Sequence, residues 1–200
     1  MRVIGITGGV ASGKTTVSNI LGELGAHIIN ADKIGHLAYE QGTSCYKNIV
    51  GHFGTTVVAE NGDIDRRKLG AIVFSDSSKM AALNEIVWPE IRVLLISELD
   101  QINSESRSGG LVPIVALEAA VMIEAGWFDL VTDLWVVHVD REVAKNFLIA
   151  RNSLSSEEAL KRIDCQISND ERCKHASKIL YNNGDLENLH SQVLRFFQEG

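Results

Sequence analysis

A glycine-rich segment near the start of the chain, GITGGVASGKTT at residues 5–16, constrains the fold more than any other stretch. It lies between an apolar run and a segment whose apolar residues recur at spacings of three and four, as in an amphipathic helix. The pattern G-x-x-x-x-G-K-S/T is met by Gly8, Gly13, Lys14 and Thr15. A strand, a glycine loop and a helix therefore follow one another in the order that a phosphate-binding loop requires.

The residue types of this loop suit a polyphosphate ligand. Small residues let successive backbone N–H groups point at one anion, and a helix that begins near Lys14 adds the positive end of its dipole. The ammonium group of Lys14 can reach β and γ phosphates, and the hydroxyl group of Thr15 can bind Mg²⁺. The alternative is an ordinary strand-to-helix turn with an incidental lysine.

The composition indicates one compact α/β domain with room for an inserted subdomain, since the chain has 200 residues and 45% hydrophobic content. No apolar run approaches the ~20 residues of a membrane span, and no signal-peptide region precedes the first strand. The net charge of −7 argues against a general nucleic-acid surface. Six histidines without a pair at i, i+4 argue against a metal site built from protein ligands alone, and three scattered cysteines favour a reducing compartment.

Five short β-rich runs predict a parallel sheet covered by helices on both faces, because each run is nearly continuous in apolar residues. These runs are residues 2–7, 27–31, 111–118, 134–140 and 178–182. The stretch between the second and third runs is too long for a normal crossover and is mostly helical in pattern, which predicts a helical subdomain. Within it, residues 79–103 form a long amphipathic segment that Pro89 is expected to break or kink, and residues 107–110 form a loop.

Three acidic residues follow the predicted strands. Ligands of open parallel sheets bind beyond the carboxyl ends of the strands, so Asp32 is expected to share a crevice with the glycine loop and to accept or orient an acceptor hydroxyl. The alternative for Asp32 is a plain helix N-cap. Glu118 could hold Mg²⁺ through a water molecule or pair with the hydroxyl group of Thr15, and Glu124 is a second acid at that edge. Their alternatives are a helix-start acid and a solvated surface.

The charged segment at residues 141–173 has the features of a lid that closes over a nucleotide. Ser155 and Glu158 form a capping-box pattern, which predicts the start of a second helix after a break. Arg151 and Arg162 are the candidates for a cation that reaches a transferring phosphoryl group. The alternative for both arginines is a solvated helix face with i, i+4 ion pairs.

These motifs together resemble those of the dephospho-CoA kinase family over nearly the whole chain. The resemblance rests on the following segments: GITGGVASGKTT, IINADKIGH, NGDIDRRKLGAIVF, LNEIVWPEI, MIEAGW, ARNSLSSEEALKRIDCQ and ILYNNGDLENL. The segments WPEI and EAGW are most similar to the kinase domain of the eukaryotic bifunctional CoA synthase. Bacterial members usually have His-Pro where this chain has Trp88-Pro89.

The resemblance implies a P-loop kinase fold, an α/β fold with a five-stranded parallel sheet flanked by helices, a helical substrate-binding insertion and a helical lid. It divides the single domain at residues 1–200 into a core, a CoA-binding subdomain and a lid. The core comprises residues 1–32, 111–140 and 174–200, the CoA-binding subdomain residues 33–110, and the lid residues 141–173.

The resemblance further implies transfer of the ATP γ-phosphate to the ribose 3′-hydroxyl of dephospho-CoA, the last step of coenzyme A synthesis. The expected partners are ATP, Mg²⁺ and dephospho-CoA, without nucleic acid or a membrane span. ATP is expected to contact Gly8, Gly9, Val10, Ala11, Ser12, Gly13, Lys14, Thr15, Thr16 and, near adenine, Asn183. Catalytic roles are expected for Asp32, Lys14 and Arg151. Contacts with the acceptor substrate are expected for Asp32, Arg66 and Glu124. Contacts with Mg²⁺ are expected for Thr15 and Glu118.

The sequence departs from the family pattern at four positions. Ala144 and Phe147 stand where the lid of the family usually has glutamine and arginine, and Ser177 stands where bacterial members often have aspartate. Glu118 replaces the usual aspartate, which keeps the charge and lengthens the side chain by one methylene group. Loss of a lid arginine would weaken an enzyme of this type.

Two other classes of function stay open at this point. A GTPase switch is the first, although the guanine-selecting pattern Asn-Lys-x-Asp is absent from the sequence. A non-catalytic relative that binds CoA or ATP is the second; Phe147 favours it, whereas Lys14, Thr15 and Asp32 weigh against it. The sequence also predicts a monomeric, cytoplasmic protein and leaves a mitochondrial association open.

Overall fold

The computed structural model describes residues 1–108, 110 and 112–199. Three positions for which the sequence makes a prediction lie outside the described residues. They are position 109 of the predicted loop, position 111 of the predicted third strand and position 200 of the predicted domain. The chain divides into two compact units. One comprises Met1–Asn30 and Gln101–Gly200, and the other comprises Ala31–Asp100.

The first unit contains the predicted five-stranded parallel sheet, so this fold prediction is confirmed. Its strands are β1 (Arg2–Gly8), β2 (His27–Asn30), β3 (Ile114–Glu118), β4 (Asp133–His138) and β5 (Lys178–Tyr181). Their order across the sheet is β2-β3-β1-β4-β5, and every neighbouring pair is parallel. Because β1 is the central strand, the loop that follows it lies between the carboxyl ends of β3 and β4.

Two helices pack against β1 and its neighbours. Helix α1 (Lys14–Glu23) begins at the lysine of the glycine motif, as predicted, and α9 (Leu186–Gln198) is the last helix of the chain. The core joins strand and helix residues, among them Ile4, Ile6, Leu21, Trp135 and Leu189. Burial of these apolar side chains stabilises the platform on which the glycine loop is built.

The second unit is mostly helical. Its helices are α2 (Ala31–Ala38), α3 (Ser44–Phe53), α4 (Arg66–Phe74) and the first part of α5 (Ser77–Ser108). The carboxylate of Asp65 caps α4 by accepting hydrogen bonds from the backbone N–H groups of Arg67 and Lys68, at 3.0 and 3.1 Å. Backbone hydrogen bonding from the Lys68 amide is the main reason that the pKa of Asp65 is lowered.

Pro89 was expected to break or kink the helix; the break is wrong, because α5 continues through this residue, and a kink stays a prediction. Proline removes one backbone hydrogen bond and disfavours the helical conformation. Val87 and Ile91 are buried on either side of Pro89, and Leu95 follows one turn later with no exposed surface. Packing of this apolar face offsets the local cost of the proline. The loop predicted at 107–110 is also wrong at its first two positions, because α5 extends to Ser108.

The segment predicted as a lid forms three helices in the first unit: α6 (Arg141–Asn152), α7 (Ser156–Asp164) and α8 (Asn169–Cys173). The predicted capping box is confirmed, since the Ser155 hydroxyl accepts from the Glu158 N–H and the Glu158 carboxylate accepts from the Ser155 N–H. An ion pair joins α6 to α7, in which Nη2 of Arg141 lies 2.8 Å from each carboxylate oxygen of Asp164. Along the described stretches of the chain, no helix combines the length and the apolar character needed to cross a membrane.

Candidate active site

The glycine loop connects the end of β1 to the start of α1 in a conformation that depends on small residues. A Cβ atom on Gly8 would lie 2.5 Å from Ser12 Oγ and 2.6 Å from the carbonyl oxygen of Val137. Ala11 and Gly13 have positive φ angles of 58° and 94°, in the left-handed region. The loop therefore curls tightly at the amino end of α1, where backbone N–H groups can face an anion.

A buried asparagine attaches the loop to the end of β5. The Nδ2 atom of Asn182 donates to the carbonyl oxygen of Ser12 at 2.8 Å, and the side chain approaches Gly13 so closely that a Cβ atom there would collide with it. The resemblance places the NNG segment at residues 182–184 beside adenine, and Asn183 was selected from it as the ATP contact. The role of Asn182 in holding the loop was not predicted. The available signal was a polar residue directly after a buried strand.

Lys14 lies over the beginning of the loop. Its ammonium group donates to the carbonyl oxygens of Gly8 and Gly9 at 3.1 and 3.0 Å. This places a positive charge where the lysine of such a motif meets β and γ phosphates.

A hydroxyl group and a carboxylate meet on the adjacent side of the loop. Thr15 Oγ1 donates to Glu118 Oε1 at 2.9 Å, and Ser18 Oγ donates to Glu118 Oε2 at 3.1 Å. Glu118 is 4% exposed, and its position is set by the pairing of β3 with β1, in which it is opposite Ile6. The Thr15–Glu118 pair offers two oxygen ligands of the kind that Mg²⁺ takes while it keeps waters and phosphate oxygens. Among the described residues, no group of three or more His, Cys, Asp or Glu side chains could hold a metal ion without such help.

A cavity of about 450 Å³ lies against the loop in the first unit. Gly9 and Val10 form one wall, and the end of β4 and residues of the predicted lid form the others. The side chain of Gln166 reaches the loop, where its Oε1 accepts from the Val10 N–H at 2.7 Å. Asn169 Nδ2 donates to the Val139 carbonyl oxygen at 2.7 Å and joins α8 to the end of β4. Sequence analysis did not select Gln166 or Asn169, although Gln166 ends the lid segment that carried the family resemblance.

The lid also places a buried arginine in this cavity, which sequence analysis did not select. The side chain of Arg172 is 2% exposed, and its Nη1 donates to the Ile167 carbonyl oxygen at 2.6 Å. Its Nη2 lies 3.7 Å from Glu124 Oε1. Burial lowers the pKa of Arg172, and the charge of Glu124 opposes that shift. The structure therefore places Glu124 beside an arginine of the cavity.

The expected adenine contact, Asn183, lies at the far edge of the same region. Its Oδ1 accepts from the Asp140 N–H and its Nδ2 donates to Asp140 Oδ2, both at 3.0 Å. Asp140 and His138 line the cavity, and the His138 ring lies 5.2 Å from that of Tyr181, centroid to centroid. Asn183 thus holds a cavity residue in place, and its contact with adenine stays a prediction.

The two lid arginines chosen from the sequence are both exposed. Arg151 is in the last turn of α6, and its Nε donates to Asn152 Oδ1 at 3.1 Å. Neither Arg151 nor Arg162 is among the described residues that line the cavity. Their contact with phosphate stays a prediction that requires movement of the lid.

The remaining expected substrate residues belong to the second unit. Asp32 lies in the first turn of α2, as its second residue, and its action on the acceptor hydroxyl stays a prediction. Arg66 lines a separate cavity of about 760 Å³, where its guanidinium group lies 5.6 Å from the ring centroid of Tyr39. His36 lines the same cavity, and its pKa is lowered by burial and by the charge of Arg66, while Asp32 opposes the shift. The charged residues that line this cavity are of both signs: Arg66 and Arg67, and Glu40, Asp63 and Asp65. The contact of Arg66 with an anionic substrate group stays a prediction.

Comparisons with known proteins match this geometry to one family. A family model described as dephospho-CoA kinase matches residues 2–188. Dephospho-CoA kinases from Symbiobacterium thermophilum and Geobacter sulfurreducens are 44% and 42% identical, each over 96% of this chain and over 79% and 95% of their own length. The solved dephospho-CoA kinase from Campylobacter jejuni is 26% identical with a TM-score of 0.71, covering 100% of this chain and 97% of its own.

These three relatives are bacterial proteins, and the special similarity to the eukaryotic synthase domain stays a prediction. The match extends over strands, glycine loop, helical unit and lid alike, since it runs from residue 2 to residue 188. The chain therefore belongs to the dephospho-CoA kinase family.

Proposed function

We propose that this chain transfers the γ-phosphate of ATP to the ribose 3′-hydroxyl group of dephospho-CoA, giving CoA and ADP. The observation that carries the proposal is the glycine loop with Lys14 over its first carbonyl groups and the Thr15–Glu118 pair beside it, in a member of this family. A P-loop of this kind positions a phosphate chain and neutralises the charge of the transferred group, which is most of what phosphoryl transfer requires.

The donor nucleotide belongs at the loop in the first unit. Backbone N–H groups of the glycine loop and the ammonium group of Lys14 bind its phosphates. The N–H groups of Val10 and Ser12 are not among them, because they donate to Gln166 and to the Gly9 carbonyl oxygen. Thr15 and Glu118 are the residues that would hold Mg²⁺, which neutralises charge on the β and γ phosphates when it is bound. Glu118 keeps the Thr15 hydroxyl oriented by accepting its hydrogen bond, with an oxygen–oxygen distance of 2.9 Å. Asn183 borders the adenine, and Arg151 approaches the phosphates when the lid moves.

The acceptor belongs to residues of the second unit. Asp32 accepts the proton of the acceptor hydroxyl or orients it toward the γ-phosphate. Arg66, which lines the cavity of that unit, binds an anionic phosphate of dephospho-CoA. Glu124 was expected to contact the acceptor, and its place beside Arg172 makes an indirect role the simpler proposal.

The proposal includes a cellular setting. The three cysteines, Cys45, Cys165 and Cys173, are free thiols, as a reducing compartment requires. A monomer in the cytoplasm follows from the sequence expectation, and a mitochondrial association stays open.

A coupled assay of ADP formation tests the proposed reaction. With ATP and Mg²⁺ present, ADP production should depend on dephospho-CoA, whereas nucleoside monophosphates and shikimate should support little turnover. The Lys14→Met variant is the control, because its loss of phosphate contacts should abolish the signal. Faster turnover with a nucleoside monophosphate would refute the proposed acceptor, and nucleotide binding without turnover would favour a non-catalytic relative.

A further inference from the structure

The buried guanidinium group of Arg172 has hydrogen-bonding capacity that the protein does not use. Its Nη1 is satisfied by the Ile167 carbonyl oxygen, but its Nε and Nη2 have no hydrogen-bond partner among the described residues. The distance of 3.7 Å from Nη2 to Glu124 Oε1 is an ion-pair contact, longer than a hydrogen bond. Burial of a charged group with unpaired donors is costly, so such an arrangement calls for a ligand or another explanation.

Arg172 lies next to the phosphate loop. It lines the same cavity as Gly9 and Val10, and a Cβ atom built on Gly9 would lie 3.5 Å from Arg172 Nη1. The carbonyl oxygen of Gly9 is 3.0 Å from Lys14 Nζ. Two cations therefore flank one residue of the loop. Because the lysine of this motif meets the β and γ phosphates, a second cation beside Gly9 is within reach of the same phosphates.

The two unused donors have the geometry that a phosphate group prefers. Nε–H and the neighbouring Nη2–H point from one edge of the planar guanidinium group, and this edge can bind two oxygen atoms of a phosphate at once. The contacts of Nη1 with Ile167 and of Nη2 with Glu124 hold the group in place before any ligand binds. A cation that is already oriented loses little conformational freedom when the anion arrives.

We propose that Arg172 binds the terminal phosphate of ATP through its Nε–H and Nη2–H, with Glu124 and the Ile167 carbonyl oxygen as its positioning contacts. The proposal rests on the proposed function, which makes ATP the donor, and it adds a residue of α8 to the phosphate site. Arg172 thereby distinguishes ATP from ADP, because only ATP carries the phosphate group that it contacts.

Direct nucleotide binding tests this role without the acceptor. Dissociation constants for the non-hydrolysable analogue AMP-PNP and for ADP, both with Mg²⁺, are measured by calorimetry for the wild type and for Arg172→Met. Charge-assisted hydrogen bonds of this kind predict about 10–100-fold weaker binding of AMP-PNP, and about threefold or less for ADP. The melting temperature of Arg172→Met is expected to fall, because the substitution removes one partner of the ion pair with Glu124 and the hydrogen bond to the Ile167 carbonyl oxygen. Comparison of AMP-PNP with ADP in the same variant separates this loss of stability from a loss of phosphate contact.

Two further variants complete the experiment. Arg195→Met removes an exposed arginine of α9, which lies over the Phe196 ring, and should leave both affinities unchanged. Arg172→Lys keeps the charge and loses the two-pronged contact, so its AMP-PNP affinity should fall between those of the wild type and Arg172→Met. If Arg172→Met does not fold, Arg172→Lys decides by the same ratio of AMP-PNP to ADP affinity.

The proposal would be overturned if the ratio of AMP-PNP affinity to ADP affinity were unchanged in both Arg172 variants. If both affinities fell by the same factor, the ratio would also be unchanged, and the role of Arg172 would be purely structural. Failure of the proposed function has a different signature. In that case the wild type binds AMP-PNP, the ratio still falls in Arg172→Met, and dephospho-CoA supports no ADP formation.

Discussion

Three polar side chains from distant parts of the sequence hold the glycine loop. Glu118 accepts from Thr15, Gln166 accepts from the Val10 N–H, and Asn182 donates to the Ser12 carbonyl oxygen, at distances between 2.7 and 2.9 Å. Each contact uses a group that would otherwise be free to rotate or to bind water. The loop is therefore ordered by its surroundings, and preorganised donors of this kind are more effective in stabilising a developing charge.

The charge of Glu118 is predicted to contribute more to Mg²⁺ binding than the shape of its side chain does. Glu118→Gln keeps the size of the side chain and an acceptor for Thr15, but it removes the negative charge next to the expected Mg²⁺ position. We expect the Mg²⁺ concentration for half-maximal turnover to rise at least about tenfold, which corresponds to about 1.4 kcal/mol of ion binding. A Mg²⁺ titration of ADP formation measures this change.

Ser18→Ala is the matched control for this variant. It removes the hydrogen bond to Glu118 Oε2 and leaves the carboxylate charge in place. Its Mg²⁺ dependence should stay close to that of the wild type. Equal Mg²⁺ dependence of Glu118→Gln and the wild type would remove Glu118 from the metal site.

Asp32 is predicted to act on the acceptor hydroxyl and not on the nucleotide. Asp32→Asn keeps the shape of the side chain but removes the proton acceptor and its charge. We expect kcat to fall by roughly 10²–10⁴, the range of a positioned general base, with the ATP dissociation constant and the melting temperature unchanged. A near-normal kcat would show that Asp32 has no role in the chemistry.

The first two helices of the lid, α6 and α7, are joined by a short turn with well-defined ends. Helix α6 ends at Asn152, the following Ser153 has a left-handed φ angle of 51°, and α7 begins at the capping box of Ser155 and Glu158. Apolar side chains of Leu148 and Ala159 are fully buried. Ala144 is buried as well, at one of the two lid positions where the sequence departs from the family. The departure at Ala144 therefore belongs to packing.

The second departure, Phe147, is on the exposed side of α6 and offers a test of the lid. Its side chain is 39% exposed, so Phe147→Arg can place its charge in water without burying it. Folding stability should change by no more than about 0.5 kcal/mol, as for most surface substitutions. Turnover should be equal or higher, because the arginine usual in the family is restored. Thermal unfolding and kcat/KM measure both quantities, and a large loss of activity would instead mark Phe147 as a packing residue.

The whole molecule consists of two units, and each is predicted to bind one substrate. A ligand that binds only the folded state stabilises it by about 2.7 kcal/mol at a hundredfold excess over its dissociation constant. MgADP and dephospho-CoA should therefore each raise the melting temperature of the wild type. Lys14→Met should lose the response to MgADP, because Lys14 belongs to the nucleotide loop, and keep the response to dephospho-CoA. Loss of both responses would contradict separate binding by the two units.

Local patterns in the sequence determined much of the fold. The order of strand, glycine loop and helix follows from residues within one short segment, as do the five apolar runs and the capping box at Ser155. Each of these features depends on neighbours along the chain, so it can be predicted without knowledge of the sheet order. The break predicted at Pro89 is an exception, since α5 continues through this residue and buried side chains on both sides of it offset its local preference.

The tertiary structure decided which distant side chains complete the site. Sequence analysis named Glu118 as a possible partner of Thr15, but it missed Gln166, Arg172 and Asn182. These three residues reach the loop because β4 and β5 follow β1 across the sheet, an order that brings the end of β5 and the lid to the carboxyl end of β1. Such contacts join positions more than 150 residues apart, as between Val10 and Gln166 at a separation of 156. No periodicity within a segment encodes them, because they depend on how buried apolar surfaces pack the strands and helices together.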